Sequence, residues 1–238
     1  MNEIFERTSL LLGNGALECL SHKKVAVFGV GGVGGYVCEA LARCGVGNLY
    51  LFDNDKVSKS NINRQIIALH STLGMYKTEA MKQRILDINP NAAVFCRNIF
   101  YLPDTADEFD LAEYDYVVDA VDTVSAKLEL AKRCDEKNVK IISSMGAGNK
   151  LNPLDFKVSD IYSTHTCPLA RVMRRELRKA GVKSLKVVYS AEESNHTEPA
   201  RQNANHSKQP VGSVSFVPSV CGLVVASEVI KDLIKESD

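Results

Sequence analysis

The chain has 238 residues, enough for one large α/β domain or two small ones. A chain of that size buries roughly 70% of its unfolded surface and needs no disulfide or metal to staple it. Its 29 basic residues balance its 29 acidic ones, which excludes a global field for nucleic acid or membrane and leaves room only for a local basic patch.

Seven cysteines, odd in number and without a C-x-x-C pair, argue for reduced thiols, a cytoplasmic setting and no tetrahedral zinc site. The opening residues carry acids where a secretion signal needs bases. Ile4 to Leu20 reads instead as a helical N-terminal arm, with Leu10, Leu11, Leu17 and Leu20 apolar and Arg7 ahead of the main fold.

From Lys24 to Asp55 the chain spells a short apolar strand (Val25 to Phe28), a glycine turn (Gly29, Gly31, Gly32, Gly34), and a helix carrying Val37, Leu41 and Cys44. A second strand, Asn48 to Phe52, ends on Asp53. Glycines let the backbone approach a phosphate, a helix N-terminus offers unpaired N–H groups, and an acid about twenty residues on takes a ribose hydroxyl. The same glycines also serve close helix-strand packing. A dinucleotide satisfies Gly29, Gly31, Gly34 and Asp53 as well as ATP does, so this stretch alone leaves the nucleotide open.

A polar stretch, Ser58 to Gln65, precedes a helix expected from about Gly74 to Ile88, with Met81, Ile85 and Ile88 on one face. Lys77 in its first turn is anomalous, since cations are disfavoured at a helix N-terminus unless an anion lies nearby. Strands are expected over Ala93 to Phe100, Tyr116 to Asp119, Lys140 to Ser144 and Leu185 to Tyr189, with a helix over Ser125 to Glu136. Alternating strands and helices predict a doubly wound, mostly parallel sheet with helices on both faces. Ligands sit at the carboxyl ends of such strands, where one pocket would gather Gly29 to Gly34, Asp53, Asp119, Asp122 and Gly146.

Beyond Pro153 comes a basic helix, Cys167 to Gly181. Leu169, Met173 and Leu177 form its apolar stripe, and Arg171, Arg174, Arg175 and Arg178 cover the rest. The arginines fit either a solvated face or a track for a phosphate backbone. Ala191 to Gly212 is polar and proline-broken, a crossover loop of the kind tied to function. The uncharged run Val211 to Ser227 is marginal for a bilayer span and reads better as a buried core or dimer helix. A final helix over Cys221 to Lys235 is expected to bury Leu223, Val224, Val229 and Leu233. No repeat or linker divides the chain, so residues 1–238 read as one domain: an arm (1–22), a nucleotide-binding core (23–150) and a substrate-binding part (151–238) holding loop 191–212.

The ordered set Gly29 to Gly34, Asp53, Ser60-Asn61-Ile62-Asn63-Arg64-Gln65, Lys77 and Asp119-Ala120-Val121-Asp122 resembles the ubiquitin-activating-like family of adenylating enzymes over roughly Arg7 to Gly148. The resemblance implies a Rossmann-like fold that binds ATP with Mg²⁺ and adenylates a carboxylate, releasing pyrophosphate. It places Asp53 at the ribose, Asn61, Arg64 and Lys77 at the phosphates, and Asp122 at the metal. The chemistry suits these residue types independently, because a carboxylate attacking an α-phosphate needs fixed cations and a hard metal ion to offset the charge that builds. Taken singly, Arg64 could cap a turn and Asp122 the following helix. The resemblance also implies a homodimer in which Arg7 of one subunit reaches the phosphates of the other.

Within that family, activators of sulfur carriers usually bear two C-x-x-C pairs, which this chain lacks. Its second half, Ser143 to Gly148, Asn152-Pro153, Ser159 to Ile161, the basic helix and Phe216 to Val220, looks like the branch that dehydrates threonylcarbamoyladenosine beside the tRNA anticodon. In that branch the adenylated threonine carboxylate is attacked by the substrate's own carbamoyl oxygen, so no enzyme nucleophile is obligatory. The basic helix would then contact tRNA. Cys167 and Cys221 read as structural, with thiol participation as the alternative, and His165 reads as structural, with substrate positioning as the alternative. An additional monovalent cation and a sulfur-relay partner stay open, and activation of a ubiquitin-like sulfur carrier is the alternative function.

Overall fold

A computed structural model of the protein describes residues 3–193 and 211–235. Its seven strands are β1 (Lys24–Phe28), β2 (Asn48–Phe52), β3 (Ala93–Arg97), β4 (Tyr116–Asp119), β5 (Ile141–Ser144), β6 (Phe156–Asp160) and β7 (Lys186–Ser190). They form one sheet in the order β3-β2-β1-β4-β5-β7-β6, parallel except for the edge strand β6, which runs antiparallel to β7. β1 and β4 sit at the centre, and all four residues of β4 are buried, as expected of parallel strands covered on both faces. The strand order reverses between β1 and β4, which opens a crevice beyond their carboxyl ends.

The helices are α1 (Glu6–Leu12), α2 (Asn14–His22), α3 (Gly34–Arg43), α4 (Lys77–Ile88), α5 (Val124–Lys137), α6 (Pro168–Lys179) and α7 (Phe216–Ile234). Strand alternation splits the core in two. Val25 and Val27 pack under α3, α4 and α7, whereas Ala26 and Phe28 pack with Phe52, Tyr101, Phe109 and α5 on the other side. A further cluster joins α6, through Met173 and Leu177, to Val187 and Tyr189 of β7.

Several boundaries differ from expectation. The N-terminal arm is two helices, because Gly13 takes a left-handed φ of 86° between α1 and α2. α4 starts at Lys77 rather than Gly74, since Gly74 has φ 85° and its N–H is spent on the Val57 carbonyl at 2.9 Å. β3 stops at Arg97, three residues short of Phe100, once it passes the end of its partner β2. α7 begins five residues earlier than expected, with Pro218 in its first turn, where the missing N–H has no helical partner to lose.

Leu223 corrects the expected core list, for it is 46% exposed while Val217, Cys221, Val225, Val229 and Leu233 form the buried stripe. Strand β6 was not expected, because its FKVSD sequence is half polar, as an edge strand permits. Most of the crossover loop, residues 194–210, lies outside the described residues.

Candidate nucleotide-binding and catalytic site

A cavity of about 520 Å³ opens at the strand-order reversal. The glycine turn between β1 and α3 forms one wall. Gly29 has φ 87°, and a Cβ there would lie 2.7 Å from the Ala120 carbonyl oxygen. Gly31 and Gly32 line the cavity itself. Gly34 does not: a Cβ there would fall 1.8 Å from the Gly29 carbonyl oxygen, so this glycine seats helix against strand.

Asp53 leaves the end of β2 and accepts hydrogen bonds from the N–H of Val30 at 2.8 Å and of Asp55 at 2.9 Å, locking the acid beside the turn. Burial pushes its carboxyl above the usual aspartate value, although nearby Lys77 and those N–H groups pull the other way. Lys77 is 6% exposed; its Nζ lies 2.6 Å from Asp55 and 3.9 Å from Asp53. The two acids resolve the anomaly of a cation in the first turn of α4.

Asn61 is buried, its amide oxygen accepting from the Ser58 N–H at 3.1 Å. Arg64 donates to the Ser60 carbonyl at 2.8 Å and to the Asn63 amide oxygen at 2.9 Å, so it braces its own turn while lining the cavity. Asp122 also lines the cavity, exposed, accepting only from the Thr123 hydroxyl at 3.4 Å among the described residues. Thr123, not Asp122, occupies the N-cap of α5, so the capping role considered for Asp122 is not the one it plays.

The far end of the cavity is apolar, walled by Phe28, Phe52, Ile99, Phe100, Tyr101 and Ala126, a slot with the character of a base-binding surface. Met145 to Gly148, Leu169 and Val211 form a third side. Asp119 is not among the lining groups. It is fully buried beneath the floor and paired with Lys127 at 2.9 Å, so the pocket gathers Asp53, Asp122 and Gly146 without it. Lys127 itself was missed, although it shares the buried face of α5 with Ala131 and Cys134, a position where a lysine is conspicuous.

Other singled-out residues lie elsewhere. Arg7 is exposed on α1, outside the cavity of its own chain. On α6, Arg174 donates to the Thr164 carbonyl at 3.0 Å and to its hydroxyl, Arg175 pairs with Glu176 at 2.6 Å, and Arg178 lies over the Tyr162 ring at 5.0 Å. Arg171 is exposed two residues beyond Leu169 of the cavity wall. His165 contacts the Thr166 hydroxyl at 2.9 Å and sits edge-on to Tyr189. Cys167 is buried, and burial pushes the Cys221 thiol up to about 12 despite the Ser144 hydroxyl beside it.

A doubly wound sheet with a glycine turn, two cations and an exposed acid around one crevice has the make-up of a nucleotide-binding site. A family model described as the ThiF family matches residues 5–238, and the chain belongs to that family. It is 44% identical to a tRNA threonylcarbamoyladenosine dehydratase of Bacillus subtilis (strain 168), over 98% of this chain and 95% of that one. Its fold matches the crystal structure of the Escherichia coli tRNA N6-threonylcarbamoyladenosine dehydratase in complex with ATP, with a TM-score of 0.88 and 31% identity, covering 98% of this chain and 94% of that one. The same E. coli enzyme in complex with AMP matches with a TM-score of 0.87 and 32% identity, covering 97% and 93%.

Proposed function

We propose that this protein is an ATP-dependent dehydratase of threonylcarbamoyladenosine in tRNA, acting beside the anticodon. The observation that carries the reading is the crevice: the glycine turn, Arg64, Lys77 and Asp122 face one cavity that ends in an apolar slot. Near-full-length likeness to two bacterial dehydratases supports the choice of substrate over a ubiquitin-like sulfur carrier.

In the proposed reaction an oxygen of the threonine carboxylate attacks the α-phosphorus of ATP, and the bond to pyrophosphate breaks. The carbamoyl oxygen then attacks the activated acyl carbon. AMP departs with the former carboxylate oxygen, the carbamoyl nitrogen loses its proton, and an oxazolone ring closes with net loss of one water. Arg64 and Lys77 offset the charge that builds on the phosphates, and the tether between nucleophile and acyl carbon makes the second step intramolecular. The apolar slot takes the adenine, and Asp53 the ribose.

Mg²⁺ fits the residues present: Asp122 offers a hard carboxylate oxygen on the cavity that Arg64 and Lys77 also line, and Mg²⁺ is typically held by one or two carboxylates plus substrate phosphates. When bound, it would supply Lewis-acid stabilisation of the phosphates. We read residues 1–238 as one domain working as a homodimer in the cytoplasm, with Arg7 of one protomer reaching the phosphates held by the other. The outer face of α6 is the proposed tRNA contact.

Exchange of labelled pyrophosphate into ATP tests the reading. The expected result is exchange that depends on tRNA bearing threonylcarbamoyladenosine. Exchange that appears only with a carrier protein ending in Gly-Gly would contradict it.

A further inference from the structure

Lys127 is 1% exposed and borders the cavity between Ala126 and Ser144. Nζ donates to the two Asp119 carboxylate oxygens at 3.0 and 2.9 Å, to the Ser144 carbonyl at 2.7 Å and to the Ser143 hydroxyl at 3.3 Å. The Ser143 hydroxyl donates to Asp119, whose other oxygen accepts the Val121 N–H at 3.2 Å. One buried cation therefore ties together the end of β4, the end of β5 and the first turn of α5.

An ammonium has three protons, and here four acceptors already share them, so none remains for a ligand. Lys127 can act only through what it holds. Directly beyond Asp119 the chain carries Val121 and Asp122 into the cavity, and directly beyond Ser144 it carries Met145 to Gly148 there. The glycine turn packs on Ala120 but, like the end of β2 and α4, makes no hydrogen bond to the Lys127, Asp119 and Ser143 side chains among the described residues. A buried ion pair is also a poor device for stability alone, because desolvation cancels most of its attraction.

We propose that Lys127 is a positioning residue for adenylation: it fixes the Ala120–Asp122 turn and the Met145–Gly148 loop relative to each other, while nucleotide binding rests on the glycine turn, Asp53 and Lys77. This rests on the function proposed above. Lys127 thus sets where Asp122 and the Met145–Gly148 loop stand along the cavity.

The test measures AMP formation and, separately, equilibrium ATP binding. Wild-type protein with tRNA bearing threonylcarbamoyladenosine is the reference, and no AMP there would count against the functional reading rather than against Lys127. Lys127→Met is expected to lower kcat about 10- to 100-fold, the usual size of losses when groups behind a first layer of ligands are removed, with ATP affinity changed less than about threefold.

The double variant Lys127→Met, Asp119→Leu removes the stranded charge, so it should regain thermal stability without regaining kcat. Recovery of kcat along with stability would overturn the proposal, as would parallel loss of ATP affinity and rate. Ser143→Ala removes one arm of the network with little threat to folding; it should lower kcat with ATP affinity unchanged, and an unchanged kcat would also overturn it.

Discussion

Lys77 combines the burial of a core residue with the charge of a surface one, and Asp53 and Asp55, just past β2, offset that charge. Replacing it by Met removes a cation that is proposed to face the phosphates. AMP formation is expected to fall about 100-fold, the scale set by loss of one preorganised electrostatic contact; a rate within a few-fold of wild type would contradict the role given to Lys77. Cys221 makes the opposite case. Its thiol is buried and pushed up to about 12, so it carries almost no thiolate at neutral pH. Cys221→Ala is expected to keep AMP formation within about twofold, since in the proposed reaction the tethered carbamoyl oxygen supplies the nucleophile, and abolished turnover would point to a thiol intermediate instead.

At the scale of elements, two close approaches decide the geometry around the glycine turn. Gly34 has no room for a Cβ against the Gly29 carbonyl, and Gly222 of α7 has none against the Val33 carbonyl of the turn, 2.5 Å from where a Cβ would stand. Gly222→Ala is expected to cost about 1–3 kcal/mol by overpacking α7 on α3, read as a lower midpoint in denaturant; an unchanged midpoint would contradict this account of the packing. β1, β2, β4 and the glycine turn were legible in the sequence, because short apolar runs punctuated by glycine leave few alternatives. The start of α4 and the breadth of α7 were not, because Gly74 is committed by a bond to distant Val57 and Pro218 falls in a first turn that tolerates it. Of the site, the polar residues could be read from motif order. The apolar slot and Lys127 could not, because Phe28, Phe52, Phe100 and Lys127 are far apart in the sequence and meet only in the folded chain.

For the whole molecule, α7 is tied to the sheet by charge as well as by its apolar stripe. Asp232 accepts from the Tyr116 hydroxyl at 2.7 Å and pairs with Lys186 at 2.8 Å, and Glu228 joins the same lysine at 2.8 Å. Burial opposes ionisation of both acids, but the hydrogen bonds from Lys186, with Tyr116 on Asp232 and Lys231 on Glu228, outweigh it and hold both carboxyls below the usual range. Glu39 is held down likewise by Arg84 and Arg43 against its own burial. A carboxyl depressed in the folded state contributes stability that is present above its unfolded value and is lost as pH falls through its folded value. Asp53, raised by burial, has the opposite sign and offsets part of this. The midpoint of thermal unfolding is expected to drop as pH falls below about 4, where unfolded carboxyls begin to protonate, and Asp232→Asn should flatten that decline; an equally steep profile in the variant would contradict it.

The cavity, the cations and the exposed acid converge on one claim, that this chain activates a carboxylate already attached to tRNA. Purified protein incubated with ATP, Mg²⁺ and tRNA bearing threonylcarbamoyladenosine, followed by mass analysis of the nucleosides under mild conditions, tests it most directly. The account predicts loss of one water from the modified nucleoside with one AMP formed for each. An unchanged nucleoside in the presence of ATP that the protein demonstrably binds would contradict it.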